Sequence, residues 1–249
     1  MTLKDKVVLI TGASRGVGEA LAAGFAGEGS MVVAVARTLA PNTGEWQGSL
    51  DETVERIGES GGRAVAMACD VTVEADVKSM VDRVRSEVGP VDVLINNAGL
   101  SIKGSIVDIS VEEFDRVMAV NMRGPFLTCK YVAPMMMERR RGNIINVTSR
   151  QANWTEGNHI VYGASKAALD RFTLNMAEDL KPYNVAVNAM SPGLITSYMT
   201  RNWDPGKNPR GLVIEPAEVV VPATLWLAQQ DASFTGRVLL RNDFGKSWP

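Results

Sequence analysis

The chain has a single histidine, His159, in 249 residues. A serine–histidine–acid triad needs a histidine beside its nucleophile, and a multi-histidine metal site needs several, so both are nearly excluded. Cysteine is almost as scarce: Cys69 and Cys129 are the only two, each inside an apolar segment. The N-terminal region shows only a short apolar run from Val7, too brief for the core of a secretion signal. The cysteines therefore read as reduced core residues, and the expected location is cytoplasmic. No stretch approaches the ~18 apolar residues that a membrane span requires. The formal net charge is −2, so no basic surplus points to nucleic acid or to an anionic membrane. Linkers, internal repeats and low-complexity segments are missing as well. The composition is 45% hydrophobic, enough for one substantial core, and predicts a single domain over 1–249.

Short β-branched runs alternate with helical patterns along the whole chain. Strands are expected at Lys6–Ile10, Ser30–Ala36, Arg63–Ala68, Val91–Ile95, Asn143–Thr148, Val185–Ala189 and Arg237–Leu240. Between them the periodicity predicts helices. One follows Gly18, one starts at Asp51, and one is capped by Thr72 and runs to about Val88. A long one starts at the capping box Ser110-Val111-Glu112-Glu113 and is bent at Pro125. Another contains Tyr162 and runs to about Leu180, and the last spans Glu215 to Gln229. Arg139-Arg140-Arg141 reads as a solvated helix end, where cations suit the dipole. The segment 194–215 reads as a loop region facing the substrate. Strands alternating with helices predict an α/β, Rossmann-like, doubly wound sheet of seven parallel strands.

The first strand runs directly into Thr11-Gly12-Ala13-Ser14-Arg15-Gly16-Val17-Gly18, and a helical pattern follows. A strand, a glycine-rich turn and a helix together place free backbone N–H groups against a pyrophosphate. Gly12 permits the tight turn, Gly16 lets a phosphate approach the backbone, and Gly18 lets helix and strand pack closely. The second strand ends at Ala36-Arg37-Thr38, where an acid that would bond the adenosine ribose is missing. Arg37, together with Arg15 in the glycine turn, can meet a 2′-phosphate instead, which favours NADP(H) over NAD(H). The plainer alternative makes both arginines solvated surface residues.

Tyr162 and Lys166 stand four apart on a helical pattern, so their side chains share a face. A phenol has a pKa of about 10 and is a poor base at neutral pH. A nearby cation favours the phenolate and suits a tyrosine that moves a proton near neutrality. A tyrosine and a lysine at this spacing are also common on ordinary helices, so the pair gains weight only from the rest of the chain.

Several motifs occur together in order. They are Thr11-Gly12-x-x-x-Gly16-x-Gly18, Asp70-Val71, Asn96-Asn97-Ala98-Gly99, Asn121, Ser149, Tyr162-x-x-x-Lys166 and Pro192-Gly193. In this the sequence resembles the short-chain dehydrogenase/reductase family over essentially its whole length. The resemblance implies an oxidoreductase that moves a hydride between a nicotinamide dinucleotide and a carbonyl or alcohol. Tyr162 would be the general acid/base, Ser149 would orient the substrate oxygen, and Lys166 would bind the nicotinamide ribose and lower the Tyr162 pKa. Asn121 would hold a relay water. Asp70 would bond the adenine amine, with the Val71 backbone beside it. Asn97, Ala98 and Gly99 would line the adenosine side, and Pro192, Gly193 and Ile195 the nicotinamide. The family's helix pairing across two-fold axes implies a homotetramer, with a dimer as the second choice.

Departures from the family pattern leave points open. Thr196 and Ser197 both stand near a cofactor-facing threonine position. Asn242-Asp243-Phe244-Gly245 replaces the usual Asp-Gly-Gly. Arg150 is either a surface residue or a contact for an anionic substrate, and His159 is either structural or part of the substrate rim. Asn153, Trp154, Met199 and Trp203 point to a partly apolar pocket. The competing readings are a catalytically idle dinucleotide-binding regulator on the same fold and, third, an isomerase or dehydratase using the same cofactor.

Overall fold

Seven short apolar segments hydrogen-bond side by side, all parallel: β1 (Val7–Thr11), β2 (Met31–Ala36), β3 (Arg63–Ala68), β4 (Val93–Asn96), β5 (Gly142–Val147), β6 (Val185–Ser191) and β7 (Arg237–Leu240). The computed structural model describes residues 2–40, 48–196, 200 and 213–249. The expectations placed on Ser197, Met199 and Trp203 lie outside the described residues. The strand order is β3-β2-β1-β4-β5-β6-β7. Strands β1, β4, β5 and β6 are buried at every position. Their near-continuous apolar character follows from burial on both faces, as a parallel sheet requires.

Helices cover both faces. On one side lie α1 (Gly16–Gly27), α2 (Leu50–Glu59) and α7 (Val221–Ala228), with Leu21, Phe25, Ile57 and Leu227 in the core. On the other lie α3 (Glu74–Arg83), α5 (Gly124–Glu138) and α6 (Ile160–Leu180), contributing Val77, Val132, Met136 and Leu180. Burying a side chain such as Phe25 contributes roughly 1.5–3 kcal/mol. The strand order reverses between β1 and β4, and the carboxyl ends of those two strands open a crevice where an α/β sheet binds ligands.

Local structure departs from the sequence expectations at four places. The long helix is two, α4 (Val111–Met118) and α5, joined by a π-helical turn at Ala119–Arg123. The irregularity carries Asn121 and ends at Arg123, shortly before Pro125, which stands in the first turn of α5 and has no N–H to continue the ladder. The capping box itself is formed, Ser110 Oγ accepting from Glu113 N–H at 3.1 Å and Glu113 from Ser110 N–H at 3.0 Å. Thr72 does not cap α3: its hydroxyl donates to Asp70 Oδ1 at 2.7 Å, and Val73 holds the cap position without a side-chain bond.

Within the arginine run, Arg140 and Arg141 stay exposed as expected of a helix end, while Arg139 is drawn inward as a clamp. Arg139 pairs with the buried Asp92 at 2.9 Å, and Arg140 donates to Pro182 O at 2.7 Å. Asp92 also accepts from Val7 N–H at 3.1 Å, so the clamp reaches the start of β1. The last helix is delayed. A 3₁₀ turn at Ala217–Val220 precedes α7, because Pro222 has no N–H to continue a helix already begun.

Candidate active site

The glycine turn and the end of β4 are stapled together at the crevice. Thr11 Oγ accepts from the N–H groups of Asn97 at 3.0 Å and Ala98 at 3.1 Å. The Asn97 amide donates to Thr11 O at 2.9 Å and Gly12 O at 3.1 Å. Gly12 and Gly16 both take positive φ, +68° and +57°. A Cβ on Gly12 would lie 2.9 Å from the Ala98 Cα, and one on Gly18 would collide with the Gly12 carbonyl. These positions therefore demand glycine for backbone reasons alone.

The turn delivers the chain into α1 with Arg15 as an extended N-cap that makes no side-chain capping bond. The first N–H groups of α1 lack intrahelical partners, and Ser14, Gly16, Val17 and Gly18 stand at this end, so the site fits a phosphate. Arg37 follows β2 as an exposed residue, with Thr38 half-buried beside it. Asp70 closes an Asx turn by accepting from Thr72 N–H at 2.9 Å, and Val71 is buried behind it.

Four further side chains gather at the carboxyl ends of β4, β5 and α4's continuation. Lys166 is 4% exposed, and its Nζ donates to Val147 O at 2.8 Å. The ammonium lies 5.9 Å from the centroid of the Tyr162 ring one turn earlier on α6. Ser149, just past β5, interacts with the Tyr162 hydroxyl and accepts from Gln151 N–H at 3.2 Å. Asn121 is fully buried: its amide donates to Leu100 O at 2.8 Å and Ser165 Oγ at 2.9 Å, while its oxygen accepts from Leu100 N–H at 2.8 Å. The π turn provides this inward placement, a common use of such irregularities.

Ser165 escaped the sequence reading, although its place between Tyr162 and Lys166 is a readable signal. It donates to Tyr162 O at 2.7 Å and receives Asn121, so it ties the π turn to α6.

Burial governs the electrostatics. It pushes the Tyr162 phenol above its ordinary value, with the Ser149 hydrogen bond pulling the other way. The expected lowering of Tyr162 by Lys166 is therefore not what this structure displays. Burial also drives Lys166 down from 10.5 to about 8, opposed by the charge of Asp170 one turn further along α6. Burial holds the His159 imidazole below its usual range.

Gly193 adopts φ +94°, and the buried Ile195 sits in a bridge with Glu215. A cavity of about 520 Å³ has Gln151, Trp154, His159 and Gly163 in its wall, and none of Asn121, Ser149, Tyr162 and Lys166 lines it. His159 is thus on a cavity rim, Trp154 lines it, and Asn153 is exposed nearby. Arg150 is half-buried and spent on protein contacts: it donates to Asn242 Oδ1 at 2.7 Å and lies 5.3 Å from the Trp154 ring centroid.

Comparison with known proteins agrees with this geometry. The family described as short chain dehydrogenase matches residues 6–208. A 3-oxoacyl-[acyl-carrier-protein] reductase of Thermotoga maritima is 33% identical over 247 residues, covering 96% of this chain and 97% of the relative. Among solved structures, a short-chain type dehydrogenase/reductase from Mycobacterium marinum superposes with TM-score 0.86 at 31% identity, covering 96% of this chain and 94% of that one. A metagenomic short-chain oxidoreductase in complex with NADP gives TM-score 0.81 at 28% identity, with 96% and 98% covered. No helix among the described residues is long and apolar enough to cross a membrane.

The buried lysine makes a signed prediction about stability. Folded Lys166 releases its proton near pH 8, against 10.5 when unfolded, so the unfolded state binds more protons in that window. This contribution therefore destabilises fully below pH about 8 and is relieved as pH rises towards 10.5. Lys166→Met is expected to lose that rise. Urea unfolding of both proteins across the window measures it, and parallel pH profiles would refute the assignment.

Proposed function

The chain belongs to the short-chain dehydrogenase family, and we propose that it is an NADP(H)-preferring oxidoreductase acting on a carbonyl/secondary-alcohol pair, with Tyr162 as general acid/base. The observation that carries this reading is the buried Lys166 one helical turn from Tyr162, with Ser149 beside the phenol. An ammonium held against a single carbonyl is costly, and the fold could place an apolar residue there more cheaply. A nicotinamide cofactor supplies or accepts the hydride. Tyr162, kept protonated by burial, then gives its hydroxyl proton to the substrate oxygen in the reducing direction. The Ser149 hydroxyl orients that oxygen. Lys166 is aimed at the nicotinamide ribose from its anchor on Val147 O. Asn121 has its side chain committed to Leu100 and Ser165, so the relay water in this reading falls to its backbone carbonyl.

Cofactor choice rests on the end of β2. Ala36 offers no carboxylate to a ribose, while the exposed Arg37 and the N-cap Arg15 flank the same crevice. A related oxidoreductase was solved with NADP. Asp70, Asn97 to Gly99 and Pro192 to Ile195 take the adenine and nicotinamide contacts in this reading. In this reading Trp154 contributes to a partly apolar substrate pocket.

The assembly we infer is a homotetramer, with a dimer second. Its support is apolar exposure on α4, α5 and α6: Val111 at 71%, and Phe114, Phe126 and Ile160 each at 45%.

Four measurements test the reading. Tyr162→Phe is expected to lower kcat by about 10²–10⁴-fold and leave NADPH binding nearly intact, because the ring remains and the proton is lost. Retention of more than about a tenth of wild-type kcat would remove Tyr162 from the role. No turnover by the wild type on a broad carbonyl panel, with NADPH still bound, would favour a dinucleotide-binding regulator. Arg37→Ala is expected to weaken NADPH up to roughly tenfold and to spare NADH, since a charged hydrogen bond contributes about 1.5–3 kcal/mol and exposure reduces it. Equal weakening of both cofactors would return Arg37 to the solvated surface. Light scattering at micromolar concentration reports the assembly, and a monomer refutes it.

A further inference from the structure

The segment that leaves β6 at Pro192 and returns at Glu215 is closed at its root by two backbone bonds. Glu215 N–H donates to Leu194 O at 2.9 Å, and Thr196 N–H donates to Glu215 O at 2.8 Å. Arg241, the residue after β7, fastens the same root by its side chain. Its Nε donates to Pro192 O at 3.1 Å, and its terminal nitrogens bond both oxygens of Glu215, one at 3.2 Å. The Arg241 side chain is 12% exposed and that of Glu215 31%, whereas both partners of the surface pair Lys78–Asp82 are at least 60% exposed. A two-point guanidinium–carboxylate pair at this depth holds direction as well as distance. The Arg241 hydrogen bond keeps the Glu215 carboxyl below its usual range, so the pair is charged on both sides at neutral pH.

The contact extends to the turn itself. A Cβ on Gly193 would stand 2.9 Å from Asn242 Oδ1 and 3.0 Å from an Arg241 terminal nitrogen, so these two side chains press on the Gly193 backbone. Asn242 also receives Arg150, the neighbour of Ser149, at 2.7 Å. The segment after Arg241 is seated in turn by Phe244 and Trp248, whose rings pack 6.2 Å and 5.6 Å from Trp226. One knot thus joins the end of β5, the Pro192-Gly193 turn and the returning chain at Glu215.

The geometry points to Arg241 as a positioning residue for the nicotinamide half of the cofactor site. It fixes the Pro192-Gly193 turn from behind and ties it to Glu215 and, through Asn242, to the Ser149 side. The inference rests on the reading above that Pro192 to Ile195 lie against the nicotinamide. Without the guanidinium the two backbone bonds still close the root, so the turn loosens and the fold survives.

The test separates the two halves of the cofactor. NADPH binding is followed by its fluorescence and adenosine 2′,5′-bisphosphate by calorimetry, on the full chain and on Arg241→Ala, Arg241→Lys and Glu215→Gln. Arg241→Ala is expected to weaken NADPH roughly tenfold, to diminish the fluorescence gain of the bound nicotinamide, and to change the bisphosphate by less than about twofold. Arg241→Lys restores part of the loss, because a lysine reaches one acceptor and not three. Glu215→Gln shifts NADPH in the same direction by less, and it carries the test if Arg241→Ala does not fold. Equal weakening of NADPH and the bisphosphate, or no change in either NADPH signal, would overturn the role. If the wild type takes NADH and not NADPH, the cofactor preference fails by itself, and the same comparison with NADH and ADP decides Arg241.

Discussion

An ammonium group buried against one backbone carbonyl is the constraint around which this molecule is arranged. Lys166 is 4% exposed and donates to Val147 O. Removing that charge from water is unfavourable unless polar partners are supplied, and burial accordingly drives its pKa down to about 8. The partners come from two elements: the carbonyl from the end of β5, and on α6 itself the field of Asp170 one turn on and the ring of Tyr162 one turn before. Tyr162, Ser165, Lys166 and Asp170 occupy one continuous side of α6. The arrangement is expensive for stability.

The same side of α6 holds the irregular turn in place. Ser165 links the Tyr162 carbonyl to Asn121, and Asn121 links onward to both backbone groups of Leu100. A π turn costs regular hydrogen bonding, and it persists because the side chain it carries inward is satisfied three times. Leu100 follows directly on Asn97-Ala98-Gly99, whose N–H groups and amide are stapled to Thr11 and Gly12. The glycine turn and the Tyr162–Lys166 pair lie on opposite sides of the topological switch point, yet a short chain of named bonds joins them. A dinucleotide spanning the crevice would touch both ends of that chain.

The third side of the site is built from the far end of the sequence. Arg241 and Asn242 bring a two-point ion pair and a side-chain amide against a glycine backbone. Arg150 is drawn into the same contact, which explains why a bulky cation is tolerated next to Ser149. Trp226, Phe234, Phe244 and Trp248 pack ring against ring behind it, an apolar support for a polar joint.

Features set by short-range pattern were legible in the sequence itself. Alternating β-branched runs and helical periods dictated seven parallel strands, because burial on both faces leaves few other ways to write such segments. Gly12, Gly16 and Gly18 marked the turn, since their spacing answers to backbone geometry alone, and Tyr162 with Lys166 marked a helix face because 3.6 residues make a turn. Tertiary structure alone decided the rest. The capacity of Thr72 to cap a helix was lost to Asp70, a competitor two residues away. Arg139 reads as solvated from its neighbours and is drawn inward by Asp92, 47 residues earlier in the chain. Asn121 is placed by Leu100 and Ser165, and Arg241 by Glu215 and Pro192, across separations of 21 to 49 residues. A side chain's partner at such range depends on how the whole sheet is wound, and no local period in the sequence encodes it.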